Sequence, residues 1–463
     1  MRKGLRAALA AATLLAAPSL AAADETFGSL GWITVPGAPL TSFDISWVDQ
    51  LETAGAPGLN MYFLADRSNA SIDLFHIQVN PVPQKIVPVT PNQFAGNVPS
   101  CPIPNACNGP NGVMTLINPG SGAKEVWIGD GPTMTPGIGS PVCPTTCSTV
   151  KVLNSNGVLT HVINTTGIFR ADELCFSPVG PGGHGVVLIA NDADIPPFVT
   201  MIATDGPNAY QVIGKFQIPQ ATNGIEQCAF NPANNGFYLN IPEWNGPGDD
   251  SVEGAVLFFF SFLNVAGGPA AGPFFINGDI CLGPQGMAMG PPGGSLPPGS
   301  AFILLGCNAN TPAFPGQMPP FTGPSNSVVV FAVLPSAIAA TFGGQGGADQ
   351  VWFDPVAAHW FVTGGSLLPA QAYNINDANT NQPDQNIFVG FTGATTRRAH
   401  STATWSGFGL GSTVTAAFMP VPATGGSTTA PFSSTVCGGS ATQGCIAVFG
   451  TVPVPNTDPA DGN

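Results

Sequence analysis

A short motif recurs along this chain: one polar residue set directly before an apolar run. It occurs at Asp44, Asn111, Asp172, Glu226, Gln285, Asp349 and His400, with separations of 67, 61, 54, 59, 64 and 51 residues. A second apolar run follows each of the first six starts, as in Tyr62–Ala65, Val126–Gly129 and Val187–Ala190, and ends in polar residues. Third runs follow in turn, for example Ser71–Gln78 and Val256–Phe262. The stretch from Arg170 to Gly206 shows the unit whole, with runs at 174–176, 186–190 and 198–203 separated by Gly/Pro turns. Short runs bounded by turn residues read as antiparallel strands. A four-stranded unit of about 40–50 residues, repeated around a circle, is a propeller blade. The expected fold class is therefore all-β: a seven-bladed β-propeller with four-stranded antiparallel blades. A pair of β-sandwiches, or six or eight blades, are the competing arrangements. The segment Gly31–Pro36 precedes the first unit and is expected to supply the outer strand of the last blade, which would remove an exposed sheet edge.

The chain divides into three expected regions. Residues 1–23 combine Arg2, Lys3 and Arg6 with an apolar stretch and an Ala-Ala-Ala ending, the pattern of a cleaved signal peptide. Residues 24–453 would form the propeller, and 454–463 a disordered tail. The expected location is secreted or periplasmic, without a membrane span. Beyond Ala23 lie eight of the 11 basic residues and all 26 acidic ones, a formal charge of −18. Such a surface disfavours nucleic acid. The expected partner is a small-molecule ligand or an extracellular protein, and the chain is expected to be a monomer.

All ten cysteines also lie beyond Ala23, and an even count in an exported chain favours disulfides. Cys101/Cys107, Cys143/Cys147 and Cys437/Cys445 are close in sequence, and Cys281 and Cys307 fall on one face of the fifth unit. Cys175 and Cys228 sit on adjacent first strands, where they either pair or remain buried thiols.

The segments ADRSNASIDLFHI (65–77), GPNGV (109–113) and GIEQCAFNP (224–232) resemble YVTN-repeat and NHL-like propellers. The chain also resembles secreted propellers of the gluconolactonase and lactonase type. The resemblance spans roughly residues 29–452, and it is specific for fold and weak for activity.

In a propeller the seven polar starts form a ring around the axis. Four carboxylates there repel unless some are protonated or a cation sits among them. Oxygen ligands suit one divalent cation, calcium before magnesium. The lactonase resemblance implies Glu226, Asn111, Asp172 and Asp349 as its ligands, with Asp44 the remaining ring carboxylate; Gln285 and His400 depart from that family. Polar starts that merely cap neighbouring strands by hydrogen bonds are the plainer alternative.

The four arginines beyond residue 23 (Arg67, Arg170, Arg397 and Arg398) all fall on the funnel face. They either neutralise the ring acids or grip a ligand, with Arg67, Arg170 and Arg398 the candidate ligand contacts. Asp192 and Glu243 come from equivalent loops on that face. His400 is the candidate general base for ester or lactone hydrolysis beside a metal-bound water. No G-x-S-x-G, H-E-x-x-H or phosphate-binding loop occurs. Three functional classes follow: a binding propeller, a metal-dependent hydrolase, or a structural interaction protein.

Overall fold

A computed structural model describes residues 27–49, 60–77, 86–88, 93–132, 148–245, 254–278, 280–281, 283–290, 301–307, 327–332, 337–343, 345, 347–364, 370–378, 381–391, 401–409, 412–423, 437 and 442–451. The leader, the tail, Cys143, Cys147, Arg397, Arg398 and His400 lie outside these residues.

The described residues form seven four-stranded sheets, and every pairing is antiparallel. Their inner strands are Ser46–Val48, Val113–Ile117, Leu174–Ser177, Cys228–Asn231, Pro284–Met289, Val351–Asp354 and Ala403–Gly409. Each inner strand touches the next in chain order, and the seventh touches the first. Phe27–Thr34 pairs with Cys445–Thr451 and is the outer strand of the seventh sheet. That strand begins four residues before the expected Gly31, at a Phe27 that is buried and exchanges backbone hydrogen bonds with the Gln385 side chain. The architecture is an all-β propeller.

Packing explains the two kinds of strand. The second strands Met61–Asp66, Val186–Asn191 and Gly236–Ile241 are buried at every position. A strand covered on both faces by neighbouring sheets carries a continuous apolar run. Outer strands such as Leu159–Asn164 and Ala337–Gly343 alternate instead between exposed and covered positions. The core accordingly divides into seven wedges among the described residues, one between each pair of neighbouring sheets, including the seventh and the first.

The repeat read from the sequence has one backbone signature. Asp44, Asn111, Asp172 and Glu226 each donate their N–H to the last part of the neighbouring second strand, at Ala65, Gly129, Ala190 and Asn240, over 2.8–3.0 Å. The same four partners donate back to the carbonyls of Ile45, Gly112, Glu173 and Gln227. One register therefore holds in four consecutive sheets, and it places these starts at the same end of their blades. Gly129 makes the approach of the third sheet possible: a Cβ there would sit 2.1 Å from the Asp172 carbonyl oxygen. Gly306 meets the Ala348 carbonyl in the same way, with a Cβ-to-oxygen distance of 2.4 Å.

Four disulfides lie among the described residues: Cys101–Cys107, Cys175–Cys228, Cys281–Cys307 and Cys437–Cys445. The Cys175–Cys228 bond settles the alternative left open above, stitching the inner strands of the third and fourth sheets. No helix among the described residues is long and apolar enough to cross a membrane.

Candidate functional site

Acidic side chains from four sheets converge where the inner strands begin. One carboxylate oxygen from each of Glu173, Glu226 and Asp349 lies within 4.8 Å of the other two. Glu173 follows Asp172 on the third sheet, Glu226 opens the fourth, and Asp349 opens the sixth, so the group spans the axis rather than one blade. Asp44, from the first sheet, feels the charges of Asp172, Asp349 and Arg170.

Two arginines brace the ring. Arg67 forms an ion pair with Asp44, and its Nε and one terminal nitrogen donate to Asn111 Oδ1 at 3.0 and 2.6 Å. Arg170 Nε reaches Asp172 Oδ2 at 2.8 Å and Asp192 Oδ2 at 2.6 Å, and a terminal nitrogen also pairs with Asp192. Fork-shaped guanidinium groups suit this double engagement. Asn111 is spent in the same frame, its amide donating to the Asn108 and Ala171 carbonyls at 3.0 and 2.9 Å.

The electrostatics divide the acids into two groups. Burial pushes the Asp44 carboxyl up to about 7, against the pull of Arg67. Burial likewise pushes Asp192 up to about 7, against Arg170. Glu173 is driven well above the usual carboxylate range, first by burial and then by Glu226, Asp349, Asp172 and Asp44, with no cation among these causes. Glu226 is raised well above its range by burial, then by Asp192, Asp349 and Asp172, with Arg170 opposing. Glu173 is 3% exposed, and its Oε2 is buried without a hydrogen-bond partner among the described residues. A buried carboxylate oxygen without a partner is costly. That oxygen is where an additional cation would do most.

Deeper in the channel the ring of acids gives way to aromatics. Trp47 of the first sheet and Trp352 of the sixth pack edge to face with centroids 4.9 Å apart, although the inner strand of the seventh sheet lies between their strands in the circle. They meet across the axis three residues beyond Asp44 and Asp349, about 10 Å down the strands. The acidic end of the inner strands, called the cup below, is thus followed along the strands by packed indole rings.

Of the residues expected to hold a metal, Glu226 and Asp349 join the three-carboxylate group, whereas Asp44, Asn111 and Asp172 are engaged with arginine or backbone. Asp192 belongs to the Arg170 cluster. Glu243 is not one of the three acids: its Oε1 accepts from Thr222 Oγ1 at 3.0 Å. Arg67 and Arg170 both pair with ring acids; Arg398 and the candidate base His400 lie outside the described residues. Sequence reading missed Glu173. Its signal was present one position after each start, where the other sheets carry Ile45, Gly112, Gln227, Gly286, Gln350 and Ser401; the third alone carries an acid.

No protein-family model matches this chain, and no curated protein matches it. The YVTN, NHL or lactonase family is thus not shown for this chain. Solved structures do match. The β-propeller fold is similar to that of a WD40 domain. The WD40 domain of Pan2 from Neurospora crassa superposes with a TM-score of 0.51 at 9% identity, over 94% of this chain and 98% of that one. A chain of the mitotic checkpoint complex gives a TM-score of 0.48 at 11% identity, over 86% and 93% of the two chains. At such identities the likeness concerns fold alone.

Proposed function

We propose that this chain is an exported, monomeric seven-bladed propeller, fastened by its N-terminal strand, that binds one cation in its axial acidic cup. The observation that carries the reading is the Glu173, Glu226 and Asp349 group, whose buried Glu173 Oε2 has no partner among the described residues. The donors are all carboxylate oxygens, which suit a hard divalent ion, calcium before magnesium. Glu173, Glu226 and Asp349 would hold the ion, which would supply the positive charge that two arginines do not provide. Arg67 and Arg170 keep Asp44, Asp172 and Asp192 out of that role and fix the cup's rim. Four disulfides accord with export to an oxidising compartment.

The test is calcium titration of the full chain by calorimetry after chelator treatment, with magnesium in parallel. One ion per chain is expected, with affinity reduced at least tenfold in Glu226→Gln and Glu173→Gln. Absence of heat and of any calcium-dependent shift in melting temperature would overturn the reading and leave a propeller whose ring serves only its own architecture. A hydrolase role would need a base at His400 as well as the ion, so ester and lactone turnover is worth assaying only after calcium binds.

A further inference from the structure

The opposite end of the third sheet carries a second site. The strand Val186–Asn191 connects the two: it leads directly to Asp192 at the cup, and its other end follows His184 after one glycine. Six extended residues span about 20 Å. Around His184, between the third and fourth sheets, lies a cavity of about 340 Å³ lined by His184, Asp205, Asn208, Gln211, Ile213 and Asn264, among others. That volume falls in the range of small-ligand pockets.

The hydrogen bonds already made inside the cavity define what is left for a ligand. Asp205 uses both oxygens: Oδ1 accepts from Gly185 N at 2.6 Å, and Oδ2 lies 3.2 Å from His184 Nδ1. Asn264 is also committed, since its Oδ1 accepts from Ala266 N at 2.9 Å and its Nδ2 donates to the Ile213 carbonyl at 2.6 Å. With a carboxylate facing Nδ1 a proton sits there, and Nε2 is left to the cavity, an acceptor in the neutral ring. The ring is held from behind by the backbone: Gly206 has φ +78°, and a Cβ on it would come within 2.5 Å of His184. What remains is one imidazole acceptor and the amides of Asn208 and Gln211, which donate and accept. Apolar surface from Pro181, Val212 and Ile213 lies beside them. Among the described residues no lysine or arginine lines the cavity to hold an anion, and the one carboxylate there is already bonded.

We infer that this cavity binds a neutral hydroxylated ring, a saccharide unit, on the face of the propeller opposite the acidic cup. Hydroxyl groups supply both hydrogen-bond senses to Asn208, Gln211 and His184 Nε2, while the C–H face of the ring covers Pro181, Val212 and Ile213. Charged sugars and inorganic anions are excluded by the same chemistry.

The experiment is saturation-transfer NMR on the full chain with methyl β-glucoside, methyl β-galactoside and methyl α-mannoside. At least one is expected to receive saturation, with affinity reduced about tenfold in both Gln211→Ala and His184→Gln. Asn208 and Gln211 are both exposed, so Gln211→Ala keeps the fold, and Glu226→Gln is expected to bind the sugar as the parent does. No transfer to any of the three glycosides, or equal transfer in the parent and both pocket variants, would overturn the inference. Loss in Glu226→Gln alone would overturn it as well, by moving the sugar to the cup.

Discussion

Glu173 and Gln350 occupy the same repeat position, one residue after the start of an inner strand, and meet opposite fates. Gln350 is completely buried and fully engaged. Its Oε1 accepts from Ser401 Oγ at 2.6 Å and from the backbone N–H of Ser46 and Thr402, each at 3.2 Å. Its Nε2 donates to the Ser46 carbonyl at 2.7 Å. This one amide ties together the inner strands of the sixth, seventh and first sheets, where the circle closes. Gln227, at the equivalent place in the fourth sheet, likewise accepts from Met287 N at 2.6 Å. Glu173 is almost as buried, yet its Oε2 finds no hydrogen bond among the described residues, and the charges acting on it include Glu226 and Asp349. A buried polar group that is satisfied holds a structure together, while one left unsatisfied beside like charges marks a place where the protein does something else.

Three experiments would break or sharpen that contrast. The largest effect is expected for Gln350→Leu, which strands the Ser46 and Thr402 backbone groups and should cost about 3 kcal/mol in urea unfolding. A loss below about 1 kcal/mol would mean the seam does not depend on this amide.

The next concerns pH. Asp44 and Asp192 titrate near 7 in the folded protein and near 4 when unfolded. Between those values the native state binds more protons, so the stabilisation is complete below about pH 4 and is lost as the pH rises through about 7. Chelated protein should therefore lose about 2.5 kcal/mol between pH 6 and pH 8, and calcium should flatten the curve. The cost of Gln350→Leu should be equal at both ends of that range, since the amide does not titrate. A melting temperature that rises with pH in chelator would contradict the assignment of these raised carboxyls.

The smallest effect separates the two positions most sharply. Glu173→Gln in chelator at pH 7.5 should stabilise the fold by about 1 kcal/mol, because a neutral amide replaces a carboxyl buried among acids. The same change should remove the added stability that calcium confers. Destabilisation in chelator would make Glu173 a structural residue of the same kind as Gln350.

Much of the architecture was legible in the chain. Polar starts at regular separations located the inner strands, because a strand covered on both faces must be apolar and its first residue must answer to the axis. Asp44, Asn111, Asp172 and Glu226 share one backbone signature for that reason. The arginines at 67 and 170 were placed on the acidic face by the same register, and the structure brings both to ring acids. The cysteines were harder, since Cys175 and Cys228 are 53 residues apart and only adjacent blades make them neighbours.

The periodic alternation of turn and apolar run, a local property, determined by itself that this chain is an all-β repeat protein and which residues open each repeat. Tertiary structure alone decided which of those openings carries unspent charge. Whether a buried carboxylate is paired depends on side chains from blades more than a hundred residues away, as Glu173 and Asp349 show. The sequence repeats a position seven times, but the closing of the circle sets a different neighbour beside each copy, and an oxygen's free energy is fixed by its neighbours rather than by its place in the repeat.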